Sequence, residues 1–263
     1  MTKYITIICA KGGVGKTTTT INLASALLFF GRNVIAIDAD LTAPNMSIHL
    51  GVPNLSCSIH DALDGKMPLS SYLYYHQSGL RIIPGNIAYE STKGINLNNF
   101  KTILRDLDNK AEIVLVDGAP GVSSESQTII DAVDFVVPIT TPDLAAISDA
   151  RKTVRMAQEK QKKVLGVIVN RVRGEEQEID IHNIEAFLDA PVIGVIPEES
   201  CVRTSYHLKG PIVYTHPDSD VAQAYKKIAA RLVGEEYHFG LEQKKVPSFG
   251  REILAGFGIV KKE

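Results

Sequence analysis

The sequence predicts an α/β fold: a doubly wound, mainly parallel sheet of about seven to eight strands, flanked by helices. Three observations carry this. Short apolar, β-branched runs alternate with helix-length amphipathic stretches, the βαβα order that a parallel sheet requires. The runs are continuously apolar, as strands buried on both faces are. The first of them opens directly into a glycine-rich loop and then a helical pattern.

Taken in order, strands are expected at Tyr4–Ala10, Val34–Asp38, Leu80–Pro84, Ile113–Asp117, Phe135–Ile139, Val164–Asn170 and Pro191–Ile196, with a shorter candidate at Ile212–Tyr214. Helices are expected at Thr17–Phe30, Asn98–Leu107, Ser124–Ala132, Asp143–Gln161, Asp180–Leu188 and Asp220–Val233. Asp143 and Asp220 stand where helix N-caps are favoured, and Gly31 follows the first helix as a terminator should. No internal repeat interrupts the pattern. From Gly234 onward hydrophobic periodicity lapses and Lys, Gln and Glu accumulate. The expected organisation is a domain over 1–233, a polar linker over 234–248 and an amphipathic tail over 249–263.

Composition narrows the classes. The chain has 263 residues, enough for one large domain with a sizeable core, and its 44% hydrophobic and 22% charged content is ordinary for a globular protein. A net charge of −2 gives no overall attraction to nucleic acid, so DNA is not an expected partner. Cys9, Cys57 and Cys201 are far apart, with no C-x-x-C, and read as buried hydrophobes or free thiols of a reducing compartment. No histidine spacing suggests a metal site. The N-terminus enters the first strand directly, with no signal-peptide pattern, and no apolar run approaches a membrane span. These features suggest a cytoplasmic protein, at most peripheral on a membrane.

The loop Ala10-Lys11-Gly12-Gly13-Val14-Gly15-Lys16-Thr17 is the most informative stretch. Glycines at 12, 13 and 15 let successive N–H groups point at phosphate oxygens, and the helix that follows adds its positive end. Lys16 is placed to reach β- and γ-phosphates, and the Thr17 hydroxyl to ligate Mg²⁺, with Val14 and Thr18 beside them. Carboxylates are expected nearby, at strand ends. Asp38-Ala39-Asp40 closes the second strand, and Asp117 closes Ile113-Val114-Leu115-Val116, an apolar strand ending in a Mg²⁺-holding aspartate.

The string from Lys11 to Thr17 resembles the deviant Walker A loop of the MinD/ParA ATPases, and the resemblance extends in motif order from residue 2 to about residue 233. Ala10 departs from the Gly that opens the general pattern. The resemblance implies a P-loop NTPase fold, ATP and Mg²⁺ as ligands, and an ATP-dependent homodimer in which Lys11 crosses to the partner's phosphates. It implies that Asp40 orients the attacking water, that Asp38 supports Mg²⁺ and its waters, and that Asn45 lies near the interface. Asp117-Gly118-Ala119-Pro120-Gly121 resembles switch II with altered middle residues, keeping Asp117 and the γ-phosphate-sensing Gly121. Asn170 and Arg171, then Pro197 and Glu198, stand where the family closes on the base, although an asparagine at a strand end is as often a turn former.

The tail resembles the membrane-targeting helix of the MinD branch. On a wheel of about 100° per residue, Phe249, Ile253, Leu254, Phe257 and Val260 share an arc of roughly 140°, with Arg251, Glu252 and Lys262 opposite. Ile259 and Lys261 break the pattern, and Gly250, Gly256 and Gly258 each cost a helix about 1 kcal/mol. Docking on the domain and disorder are the other readings; the preferred one is an anionic membrane surface, met by the lysines. The expected function is an ATPase switch that positions a cell-division or other polar partner. The alternatives are a partitioning ATPase on DNA or a polar scaffold, and a metal-cluster assembly ATPase.

Overall fold

The computed structural model describes residues 1–52, 55, 57–88 and 96–238. The expected tail, with Phe249, Ile253, Leu254, Phe257 and Val260, lies outside the described residues, as does most of the expected linker.

The chain runs β1 (Lys3–Ile8), α1 (Lys16–Phe29), β2 (Val34–Asp38), α2 (Met46–His49), α3 (Ile59–Leu63), β3 (Tyr74–Tyr75) and β4 (Arg81–Ile83). It continues through α4 (Phe100–Leu104), β5 (Ile113–Asp117), α5 (Ser124–Ala132), β6 (Phe135–Thr140), α6 (Leu144–Glu159), β7 (Lys163–Val164) and β8 (Val167–Val172). Last come α7 (Ile181–Leu188), β9 (Val192–Pro197), α8 (Cys201–His207), α9 (Ile212–Thr215) and α10 (Asp220–Val233).

The sheet order is β3-β4-β2-β5-β1-β6-β8-β9, with β7 also on β6. Among the described residues only the short β3–β4 pair is antiparallel. Strand β1 lies between β5 and β6, so Ile7 registers with both Asp117 and Val137, while Asp38 of β2 registers with Asp117. The loop after β1 and both acidic strand ends therefore share one edge, the edge where open α/β sheets bind ligands.

Alternation along each strand divides the core. Ile5 and Ile7 face Leu23 and Leu27 of α1 and Tyr225 and Ile228 of α10. Tyr4 and Ile8 face the other way, among Phe100, Leu104 and Ile129. Two covered faces explain why the runs are continuous rather than alternating.

The short elements α2, α3, β3 and α8 were not expected, and four further details differ from expectation. Ile212–Tyr214 is the start of helix α9, not a strand: the run is too short to choose its period, Pro211 precedes it, and Asn22 Oδ1 accepts the N–H groups of Ile212 and Val213 at 2.6 and 3.3 Å. The run Val164–Asn170 is two strands, broken at Gly166, whose φ of +139° suits glycine. Ser219 rather than Asp220 caps α10, accepting from Ala222 N–H at 3.2 Å. Strand β1 ends at Ile8, which leaves Cys9 and Ala10 to the loop. Asp143 caps α6 as expected, accepting from Ala146 N–H at 2.9 Å.

Beyond α10 the chain folds back on α1. Glu235 pairs with Arg32 at 2.5 Å, and the Tyr237 ring stands edge-on to Phe29 and Phe30 while its hydroxyl donates to Gln223 at 2.6 Å.

Candidate functional site

The loop after β1 curls through left-handed Gly13 and Gly15, with φ of +79° and +99°. Gly15 is the N-cap of α1 and brings no side chain to the first-turn N–H groups, which leaves them to an anion. Added Cβ atoms at Gly12 and Gly13 would meet nothing within 4 Å, so that wall of the loop is open. Gly15 is different. A Cβ there would stand 2.3 Å from Nδ2 of Asn170, whose amide donates to the Val14 carbonyl at 2.8 Å. Asn170, in the second half of β8, thus braces the loop. Behind it, the Thr18 and Thr19 hydroxyls meet those of Tyr206 at 2.8 Å and Tyr225 at 3.1 Å.

Below the loop, Lys16 is buried among carboxylates. Asp117 is fully buried: Thr20 donates to its Oδ1 at 3.3 Å, and Oδ2 has no hydrogen-bond partner among the described residues. Burial pushes Asp117 up to about 7, against the neighbouring Thr17 hydroxyl and the Lys16 ammonium, which hold it down. Asp38 is also raised, by burial first and then by the Asp117 charge. Its Oδ2 accepts from Asn45 and Met46 N–H, both at 2.9 Å, and its Oδ1 from Asp40 N–H at 3.3 Å. Asp38 therefore orders the loop that carries Asp40. Asp40 accepts from Thr42 Oγ1 at 3.3 Å and Ala43 N–H at 3.1 Å, and burial raises it despite the opposing Lys16 charge. The orphaned Asp117 oxygen, buried beside the Thr17 hydroxyl, is the setting a divalent cation shared with a bound phosphate relieves.

Three expected residues have specific partners at the rim. Lys11 Nζ pairs with Asp143 Oδ1 of its own chain at 3.0 Å. Gly121, with φ of +88°, donates its N–H to the Ala10 carbonyl at 2.8 Å, so that group is already engaged. The Asn45 amide turns back to the Ala43 carbonyl at 2.6 Å.

Asn170, Arg171, Pro197 and Glu198 line one cavity of about 190 Å³, together with Tyr206 and Tyr225. Arg171 has φ of +60°. Glu198 pairs with Arg173 at 2.6 Å. A wider recess of about 500 Å³ adjoins it, bordered by Lys11, Gly12, Asp143 and Arg173. The two tyrosines, Thr20, the Asp143 partner of Lys11 and a buried Glu125 behind Asp40 were not foreseen. Each is far away in sequence or lacks a motif, and none carries a local signal of these contacts; the pattern at Asp143 announced only its cap.

Comparison with known families decides what carries this loop. The ParA family model, described as an NUBPL iron-transfer P-loop NTPase, matches residues 1–233. The chain belongs to the ParA family of P-loop NTPases. An uncharacterised ATP-binding protein of Methanocaldococcus jannaschii is 34% identical to this ParA-family chain over 254 residues, covering 97% of it and 96% of that protein. The structure of the septum site-determining protein MinD of Pyrococcus horikoshii, complexed with Mg-ADP, superposes with a TM-score of 0.83 at 31% identity, over 87% of this chain and 95% of that one. A MinC:MinD cell division complex of Aquifex aeolicus gives a TM-score of 0.80 at 28% identity, over 91% and 98%. Among the described residues of this ParA-family chain, no helix is long and apolar enough to cross a membrane, and no cluster of three His, Cys, Asp or Glu could hold a metal ion.

Proposed function

We propose that this ParA-family chain is a MinD-like ATPase switch. It takes ATP and Mg²⁺ at the loop over residues 10–17, dimerises face to face, and is reset by hydrolysis. The observation that carries the reading is the juxtaposition of an open, left-handed glycine loop with the orphaned Asp117 oxygen and buried Lys16 beneath it. The MinD relative holding Mg-ADP supports it.

In this reading the N–H groups of residues 12–16 and the Lys16 ammonium hold the phosphates, with Thr17 and Asp117 as metal ligands. Held there, Mg²⁺ would neutralise charge that develops on the phosphates. Asp40 orients the attacking water. Asp38 acts through the loop it orders. Gly121 exchanges the Ala10 carbonyl for phosphate oxygen, which moves switch II. The base sits against Asn170, Arg171, Pro197 and Glu198. Lys11 leaves Asp143 and reaches the phosphates of the second subunit.

The domain ends near residue 233, and the tail over 249–263 meets anionic lipid at the inner face of the cell membrane. Two tails in one dimer convert a marginal affinity into a useful one. The cargo is a cell-division or polar partner protein, as the MinC:MinD complex suggests. Co-sedimentation of the full chain with anionic vesicles tests this, run with ATP, with ADP and without nucleotide. ATP-dependent pelleting that is lost on truncation after Val246 is expected. Protein that stays in the supernatant with ATP sinks the membrane reading.

The second reading, a metal-cluster assembly ATPase, is favoured by the iron-transfer description of the family model. It predicts iron–sulfur absorbance after anaerobic reconstitution, which the switch reading does not.

A further inference from the structure

We infer that Glu125 and His60 are positioning residues for hydrolysis, clamping the backbone of Leu41 from both sides so that the preceding Asp40 keeps its working place. The inference rests on the reading of Asp40 as the group that orients water. The Leu41 N–H donates to Glu125 Oε1 at 2.6 Å. The Leu41 carbonyl accepts from His60 Nε2 at 2.9 Å, while His60 Nδ1 accepts from Asn86 N–H at 3.1 Å. That second bond fixes the proton on Nε2, because Nδ1 must be the acceptor.

Both clamping side chains are buried, Glu125 with 9% and His60 with 6% of their surface exposed. They come from helices α5 and α3, and neither is a neighbour of Leu41 in sequence. Asp38 accepts from the Asp40 N–H and the Asp40 carboxylate from the Ala43 N–H, so the backbone N–H groups of residues 40, 41 and 43 are all held, and the Thr42 hydroxyl also donates to Asp40. A merely solvated loop would leave these groups to water.

The arrangement is also a costly one. A buried carboxylate lies close enough to Asp40 for the two charges to oppose each other. Neutral side chains could fill the space without that opposition. What Glu125 supplies is a strong acceptor aimed at one N–H, carried on the helix that follows Gly121. The clamp therefore joins the loop bearing Asp40 to the loop that grips Ala10. Placement matters here, since a shift of about 1 Å in a water-orienting group can cost a hundredfold in rate.

The test is steady-state ATP turnover and fluorescent-nucleotide binding by the full chain and four variants: Asp40→Ala, Glu125→Ala, Glu125→Gln and His60→Ala. Glu125→Ala and His60→Ala are expected to lower kcat by at least about tenfold while KM for ATP stays within about twofold. Glu125→Gln keeps an acceptor oxygen and is expected to retain about half of kcat or more. The clamp is overturned if both alanine variants turn over like wild type, if KM rises with kcat intact, or if Gln falls as far as Ala. Wild-type turnover in Asp40→Ala overturns the Asp40 reading itself, and the clamp with it, which separates the two failures. If the alanine variants do not fold, amide exchange at Leu41 in the unmodified chain decides. Strong protection is expected, and exchange as fast as a free loop amide overturns the clamp.

Discussion

Asp117 is poorly suited to its own charge. It is fully buried, one oxygen is unpartnered, and Asp40 adds like charge. Its folded value of about 7 lies above the ordinary 3.8, so the protonated form is the one favoured by the cation-free fold. The sign follows. Between about pH 4 and pH 7 the unfolded chain loses this proton while the folded chain keeps it, so this group's contribution to cation-free stability falls across that window, and the raised Asp38 and Asp40 act with the same sign. Thermal midpoints without Mg²⁺ are expected to drop from pH 5 to pH 7. The increment given by Mg²⁺ with nucleotide is expected to grow over the same range, because the ligand form is the ionised one. A midpoint that rises with pH and an increment that shrinks would contradict this. At this scale the strand-end aspartates were legible because an apolar strand ending in Asp is a local pattern. The jobs of Asp38 and Asn170 were not. Each spends its polar atoms on backbone brought close by tertiary folding.

Elements were legible where length decides the period. The runs that became β1, β2, β5 and β6 are each bounded by polar residues or turns, and each is buried throughout or nearly so. Short runs were not. Ile212–Tyr214 has β-branched residues but too few of them, and its conformation is set by Asn22 of α1 receiving its first N–H groups. Gly166 was hidden inside an apolar stretch. Its kink lets the chain leave β7 and join β9 through β8, with Val167 N–H on the Pro191 carbonyl at 2.8 Å. A Cβ at Gly166 would lie 2.3 Å from Ile193 Cγ2 and 2.8 Å from the Pro191 carbonyl. Gly166→Ala is therefore expected to destabilise by about 2–3 kcal/mol, combining a left-handed alanine with overpacking. The checking measurement is urea unfolding, where a lower midpoint at unchanged slope is the expected result.

For the whole molecule, the ion pair between Lys11 and Asp143 is the contact a dimer would have to exchange. Both side chains are substantially exposed, at 36% and 50%, so the pair itself contributes little to stability. Asp143 is nonetheless well occupied: burial raises it, but the Thr141 hydroxyl, Ala146 N–H and Lys11 together hold it below the ordinary range. Lys11 can leave without uncapping α6. Lys11→Ala is then expected to bind nucleotide as a monomer within about threefold of wild type, while turnover falls by at least about a hundredfold for want of a charge supplied in trans. Normal turnover in that variant would exclude the trans role. The other end of α1 has its own consequence. This helix of 14 residues starts at Lys16, under the glycine loop, and finishes at Phe29, against Tyr237. It is a single shaft of roughly 21 Å. Lys16 and Phe29 are thus opposite ends of one rod, and a tilt at the phosphate end would displace the packing of Phe29 on Tyr237.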